Sequence, residues 1–139
     1  MIIREARVED APQIVALLRY LGHPIETHEV VENLARLAQL RETPLVAVDG
    51  TDIIGLIGFH STVTVHRVSA VGRITVLVVS EDAHGRGVGR ALVESVEKRL
   101  RESGCELIEV TSNNKRGDAH LFYEHLGYEK TSSRFMKRL

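Results

Sequence analysis

The sequence predicts an α/β (α+β) fold, a mixed and mostly antiparallel twisted sheet with helices on both faces. Three observations carry this. Period-two and period-3.6 apolar patterns alternate along the 139 residues in the order βααβββαβαβ. Two strand-like runs flank Asp49-Gly50, a hairpin signal. A β-branched run, Ile74 to Val79, passes through a glycine-spaced loop straight into an amphipathic helix.

Taken in order, Ile2 to Arg7 reads as a strand. Glu9-Asp10-Ala11-Pro12 starts a helix, with acid before proline in the first turn; Ile14, Leu17, Leu18 and Leu21 follow at helical spacing and Gly22 stops it. After the loop His23-Pro24-Ile25-Glu26, Thr27 can cap a second helix reaching Arg41, with Val30, Val31, Leu34, Leu37 and Ala38 inward. Leu45 to Val48 and Ile53 to Phe59 form the hairpin, whose second strand can run on through Ser61 to Val65. His66 to Gly72 is a connection, and the strand at Ile74 follows. The next helix turns Val88, Leu92, Val96 and Leu100 inward and ends at Ser103-Gly104. Glu106 to Thr111 is a strand, Asp118 to Leu126 a short helix closed by Gly127, and Arg134 to Lys137 a last strand. No repeat or linker divides the chain, so residues 1–139 are expected to form a single domain.

Composition narrows the function classes. A formal net charge of -1 gives no general attraction to nucleic acid or membrane, and the absence of Trp removes the best base-stacking side chain. Neither partner is expected. The charged start Met1 to Glu5 reads as a short strand rather than a signal peptide, and no apolar run reaches membrane-spanning length. One cysteine, Cys105, excludes an internal disulfide and fits a reducing cytoplasm. Among the seven histidines, His28-Glu29-Val30-Val31-Glu32 has Glu32 where a metalloprotease helix needs its second His, so no metal site is expected. There is no Gly-x-Ser-x-Gly elbow for a hydrolase.

The loop after Val79 carries the chemistry. Gly85, Gly87 and Gly89 let backbone approach a ligand closely, and the first helical turn offers unpartnered N–H groups at the positive end of the dipole. Arg86 and Arg90 add cationic side chains. This is an anion site suited to a pyrophosphate. The strictly alternating glycines fit neither the dinucleotide fingerprint nor the Walker loop.

The run His84-Gly85-Arg86-Gly87-Val88-Gly89 resembles the Arg/Gln-x-x-Gly-x-Gly/Ala signature of the GNAT superfamily of N-acetyltransferases, with His84 at the usual Arg/Gln position. Thr111 to Tyr128, containing Ala119-His120-Leu121-Phe122-Tyr123, resembles that superfamily's second segment. The resemblance implies direct acetyl transfer from acetyl-CoA to an amine. It places pantetheine along the strand backbone at Leu77, Val78 and Val79, and the pyrophosphate on N–H groups from Gly85 to Arg90, with His84 acting largely through its backbone. Tyr123 then stands where the family's general acid protonates the departing thiolate, a role a neutral phenol can fill. Asn113 or Asn114 would bond pantetheine or substrate, or else form an ordinary turn; Arg116 would meet CoA phosphates or solvent.

Many relatives carry a Glu base at positions matching Arg73 or Thr75, and neither residue here is acidic. Strand alternation puts these two on one side, where the amine is expected. Either the proton leaves through water and His60, His66, Glu26 or Glu29, or Arg73 recognises an anionic group on the substrate; a surface ion pair is the plain alternative for Arg73. Gly55 to His60 and the carboxy-terminal tail also resemble aminoalkylphosphonate N-acetyltransferases, while polyamines, amino sugars and protein amino groups stay open as acceptors. The missing base also leaves open a catalytically silent acyl-CoA sensor. Edge strands and the last strand would allow a homodimer.

Overall fold

The computed structural model describes residues 1–112 and 117–139. The chain falls into two units, Met1–Glu109 and Val110–Leu139.

In the first unit, β1 (Ile2–Glu5) leads through a 3-10 turn, Val8–Asp10, into α1 (Ala11–Leu21) and α2 (Thr27–Gln39). β2 (Leu45–Asp49), β3 (Asp52–Thr62) and β4 (Val71–Val79) follow, then α3 (Val88–Glu102) and β5 (Leu107–Val110). The five strands form one mixed sheet in the order β1-β2-β3-β4-β5. The first three neighbouring pairs are antiparallel, while β4 reaches β5 only by the helical crossover that a parallel neighbour requires. β4 starts three residues before the expected Ile74, and β3 ends at Thr62 rather than reaching Val65.

Helices cover both faces. Ile14, Val15 and Leu17 of α1 and Val30 and Leu34 of α2 pack with Val46, Leu56 and Val78 of the sheet. On the opposite face, α3 lies so close that a Cβ at Gly55 would stand 2.9 Å from Leu92 Cδ1, and one at Gly72 would stand 2.5 Å from Leu100 Cδ1.

Two bulges interrupt the ladders. Gly58 pairs with Val76 but Phe59 pairs with Ile74, so Thr75 is an extra residue in β4; likewise Ile54 is extra in β3, between the pairs Val48–Ile53 and Ala47–Gly55. Gly72 faces α3 whereas Val76 and Val78 pack on the α1/α2 side, so the phase of β4 flips at Thr75. Arg73 and Thr75 stay on one side, as alternation from Gly72 requires.

Helix α2 differs from expectation at its start. Its N-cap is Glu26, whose N–H donates to Glu29 Oε1 at 3.0 Å, so a capping box replaces the anticipated Thr27 cap.

The second unit contains α4 (Gly117–His125), ended by Gly127 at φ 91°. The expected strand Arg134–Lys137 does not form among the described residues: Phe135 and Met136 are exposed, and a short strand needs a hydrogen-bonded neighbour that this segment does not find.

Candidate functional site

The connection from β4 to α3 is organised by backbone geometry. Ser80 N–H donates to Ile54 O at 2.8 Å, which holds the end of β4, and a 3-10 turn over Glu81–Ala83 buries Ala83. Gly85 and Gly87 then take left-handed conformations at φ 78° and 75°, which side chains with a Cβ adopt only at a cost. Gly87 is the N-cap of α3; no side chain caps that end and no acid lies in its first turn. The first helical N–H groups are therefore presented, dipole-positive end outward, to the space beyond the loop. Such an end fits a phosphate.

The cationic side chains here are engaged with carboxylates. Arg86 Nη2 donates to Asp49 Oδ2 at the end of β2 at 3.1 Å, and Arg90 Nε donates to Glu94 Oε1 at 2.8 Å along α3. Both pairs are about half exposed, and pairs of that kind contribute roughly 0–1 kcal/mol, so a phosphate can displace them. The His84 ring has a role the signature does not suggest: its Nε2 lies 3.0 Å from Val79 O, and the Tyr20 ring of α1 stands 6.5 Å away. His84 thus ties the loop to the end of β4 by its side chain as well as its position. Leu77 and Val79 are half-buried and Val78 is core.

A second group of polar side chains sits lower on the sheet. His60 of β3 and Arg73 of β4 are direct cross-strand partners. Arg73 Nη1 donates to Glu109 Oε1 of β5 at 2.9 Å, and Thr62 Oγ1 lies 3.0 Å from His60 Nδ1. Thr75 projects beside this row, its Oγ1 only 2.6 Å from where a Gly58 Cβ would be. Glu42 Oε2 accepts from Ser61 N–H at 2.6 Å at the margin. Glu109, Thr62 and Glu42 escape sequence reasoning because their pairing depends on strand register; the alternating pattern of Ile108 and Val110 around Glu109 was the available signal.

In the second unit Tyr123 packs edge-on to Phe122, ring centroids 5.2 Å apart, and stands 5.6 Å from the Tyr128 ring. Tyr128 N–H donates to Tyr123 O at 3.0 Å, closing the helix end. Asn113, Asn114 and Arg116 lie outside the described residues. Among the described residues no group of three or more His, Cys, Asp or Glu side chains is arranged to hold a metal, and no helix is long and apolar enough to cross a membrane.

A helix-covered mixed sheet with an uncapped helix end behind its fourth strand defines an α/β protein. Sequence comparison assigns it further. The acetyltransferase (GNAT) family profile matches residues 8–128. The chain is 30% identical over 141 residues to an aminoalkylphosphonate N-acetyltransferase of Salmonella typhimurium, covering 99% of this chain and 90% of that protein. It is also 30% identical over 132 residues to a mycothiol acetyltransferase of Propionibacterium freudenreichii, of whose length it spans only 42%. A solved structure from Agrobacterium tumefaciens superposes with a TM-score of 0.89 at 23% identity over 100% of both chains, which speaks for the fold. The chain belongs to the GNAT family of acetyltransferases.

Proposed function

We propose that this protein moves the acetyl group of acetyl-CoA onto the primary amine of a small molecule, by direct attack within a ternary complex. The observation that carries the reading is the uncapped start of α3 behind two left-handed glycines, inside a segment that the family profile matches. Backbone N–H groups from Gly85 to Arg90 hold the pyrophosphate, with His84 fixing the loop and Leu77, Val78 and Val79 flanking the pantetheine. Acetyl-CoA supplies the thioester. Tyr123 gives a proton to the departing thiolate, a role supported by its place in Phe122-Tyr123 of the second segment. Asn113 and Arg116 add polar contacts to CoA. Residues 1–139 act as one domain in this reading, as the profile match across both units supports.

Aminoalkylphosphonates lead the acceptor candidates, because the Salmonella typhimurium relative aligns over nearly the whole chain. Arg73, Thr75 and His60 line the acceptor side, and an anionic acceptor would compete with Glu109 for Arg73. We place the protein in the cytoplasm, as a homodimer, with no resident metal and no nucleic-acid or membrane partner. A silent acyl-CoA sensor is disfavoured by the N-acetyltransferase relatives.

The test is thiol release from acetyl-CoA across a panel of aminoalkylphosphonates, polyamines and aminoglycosides. Turnover with at least one amine is expected; acetyl-CoA binding without turnover would return the sensor reading. Tyr123→Phe should lower kcat about 10²-fold with acetyl-CoA binding unchanged, and an unaltered kcat would remove Tyr123 from the mechanism.

A further inference from the structure

Three neighbouring strands place a histidine, an arginine and a glutamate in a row. His60 on β3 faces Arg73 on β4, and Arg73 is in turn bound by Glu109 of β5 at 2.9 Å. On β3 itself, His60 and Thr62 share a face at i and i+2, with Nδ1 and Oγ1 3.0 Å apart. We propose that His60 is the general base that takes the proton from the acceptor ammonium, with Thr62 setting its tautomer. The proposal deepens the transferase reading above and rests on it.

The row itself selects the residue. A guanidinium does not give up its proton near neutral pH, so Arg73 cannot be the base. Glu109 has its carboxylate engaged by Arg73 at 2.9 Å, so that oxygen already accepts a hydrogen bond and is not turned to the acceptor amine. An imidazole changes charge near neutrality and is suited to accept a proton there. The charged groups nearest it along the sheet are Arg73 across the ladder and Glu109 bonded to Arg73, while Glu42 holds the neighbouring Ser61 N–H at 2.6 Å. In the tautomer whose Nδ1–H donates to Thr62 Oγ1, the Nε2 lone pair is left to face the acceptor. His60 is half-buried, so the proton it takes can pass on to water.

The step balances. His60 Nε2 removes one proton from the ammonium, and the freed nitrogen lone pair forms the C–N bond as the C–S bond of the thioester breaks. The nitrogen's second proton makes good the one that Tyr123 gives to the thiolate. The first leaves from His60 to solvent, so the products are the amide, CoA thiol and one released proton.

The experiment compares wild type, His60→Gln and His60→Ala for kcat across acid to alkaline pH, for acetyl-CoA binding by calorimetry, and for rescue of His60→Ala by added imidazole. Expected results are a kcat lowered about 10²-fold, an acid limb of the wild-type profile that flattens in His60→Gln, unchanged acetyl-CoA binding and partial rescue by imidazole. If His60→Gln keeps both rate and limb while wild type turns over, the base assignment is overturned and the transferase reading stands. If wild type binds acetyl-CoA but acetylates no amine, the transferase reading falls and takes His60 with it. Should His60→Gln misfold, imidazole rescue of His60→Ala decides, and its absence counts against the base.

Discussion

Asp10 is the buried charged side chain of the described residues, 6% exposed, and it is fully committed. Arg4 grips both of its oxygens, at 2.7 and 3.0 Å, and Arg7 N–H donates to Oδ2 at 2.7 Å. The Arg4 hydrogen bond, against the opposing effect of burial and with help from Arg7 N–H, holds the carboxyl below its ordinary range. A carboxyl depressed in the folded state adds stability that is present above its unfolded pKa and is lost as pH falls through the folded one. That loss belongs below about pH 4. Asp10→Asn should therefore unfold about 1–3 kcal/mol more easily at neutral pH, and its stability should fall less steeply on acidification; urea melts at neutral and acid pH measure both. Sequence inspection located Asp10 only as a helix-start acid, because its partner on β1 is a matter of packing. The same reason hides the His84 contact with Val79 O. By contrast the glycine loop is local, so its backbone geometry was legible.

At the scale of elements, the α-helices among the described residues all end the same way. His23, Glu42, Cys105 and Tyr128 each send an N–H back to the carbonyl five residues earlier, at 2.8, 2.9, 2.9 and 3.0 Å. Gly22, Gly104 and Gly127 supply the left-handed residue for three of these caps, but Arg41 supplies it for α2 at φ 58°. A left-handed non-glycine residue costs roughly 1–2 kcal/mol, so Arg41→Gly should raise stability by about 1 kcal/mol and the melting temperature by a few degrees in calorimetry. Gly72 sets the opposite limit. Its absent Cβ makes room for Leu100, itself only 4% exposed, and Gly72→Ala should lower stability by about 1–3 kcal/mol. Helices with glycine stops were readable from pattern alone. The Arg41 stop was not, which is why α2 was expected to run two residues beyond its observed end at Gln39. The carboxy-terminal strand failed differently: Arg134 to Lys137 has strand-forming side chains, but pairing is decided by neighbours rather than propensity.

Across the whole molecule, the order of elements, the hairpin and the helix-covered sheet were legible because each follows from a periodicity that local residues fix. The bulges were not, since Ile54 and Thr75 look like any other residue in an apolar run and become extra only when a partner strand is laid beside them. Thr75 has an unusual standing as a result. Removing it would leave Ile74 facing α3 and Val76 facing α1 and α2, the sides they already occupy. A chain shortened by that one position would zip β3 and β4 into an unbroken ladder without turning a single core residue outward. Such a deletant should melt no lower than its parent, whereas its acetylation rate should collapse if the kink is what opens the sheet to the two reactants. The irregularity would then be a cost in cohesion retained for the sake of chemistry.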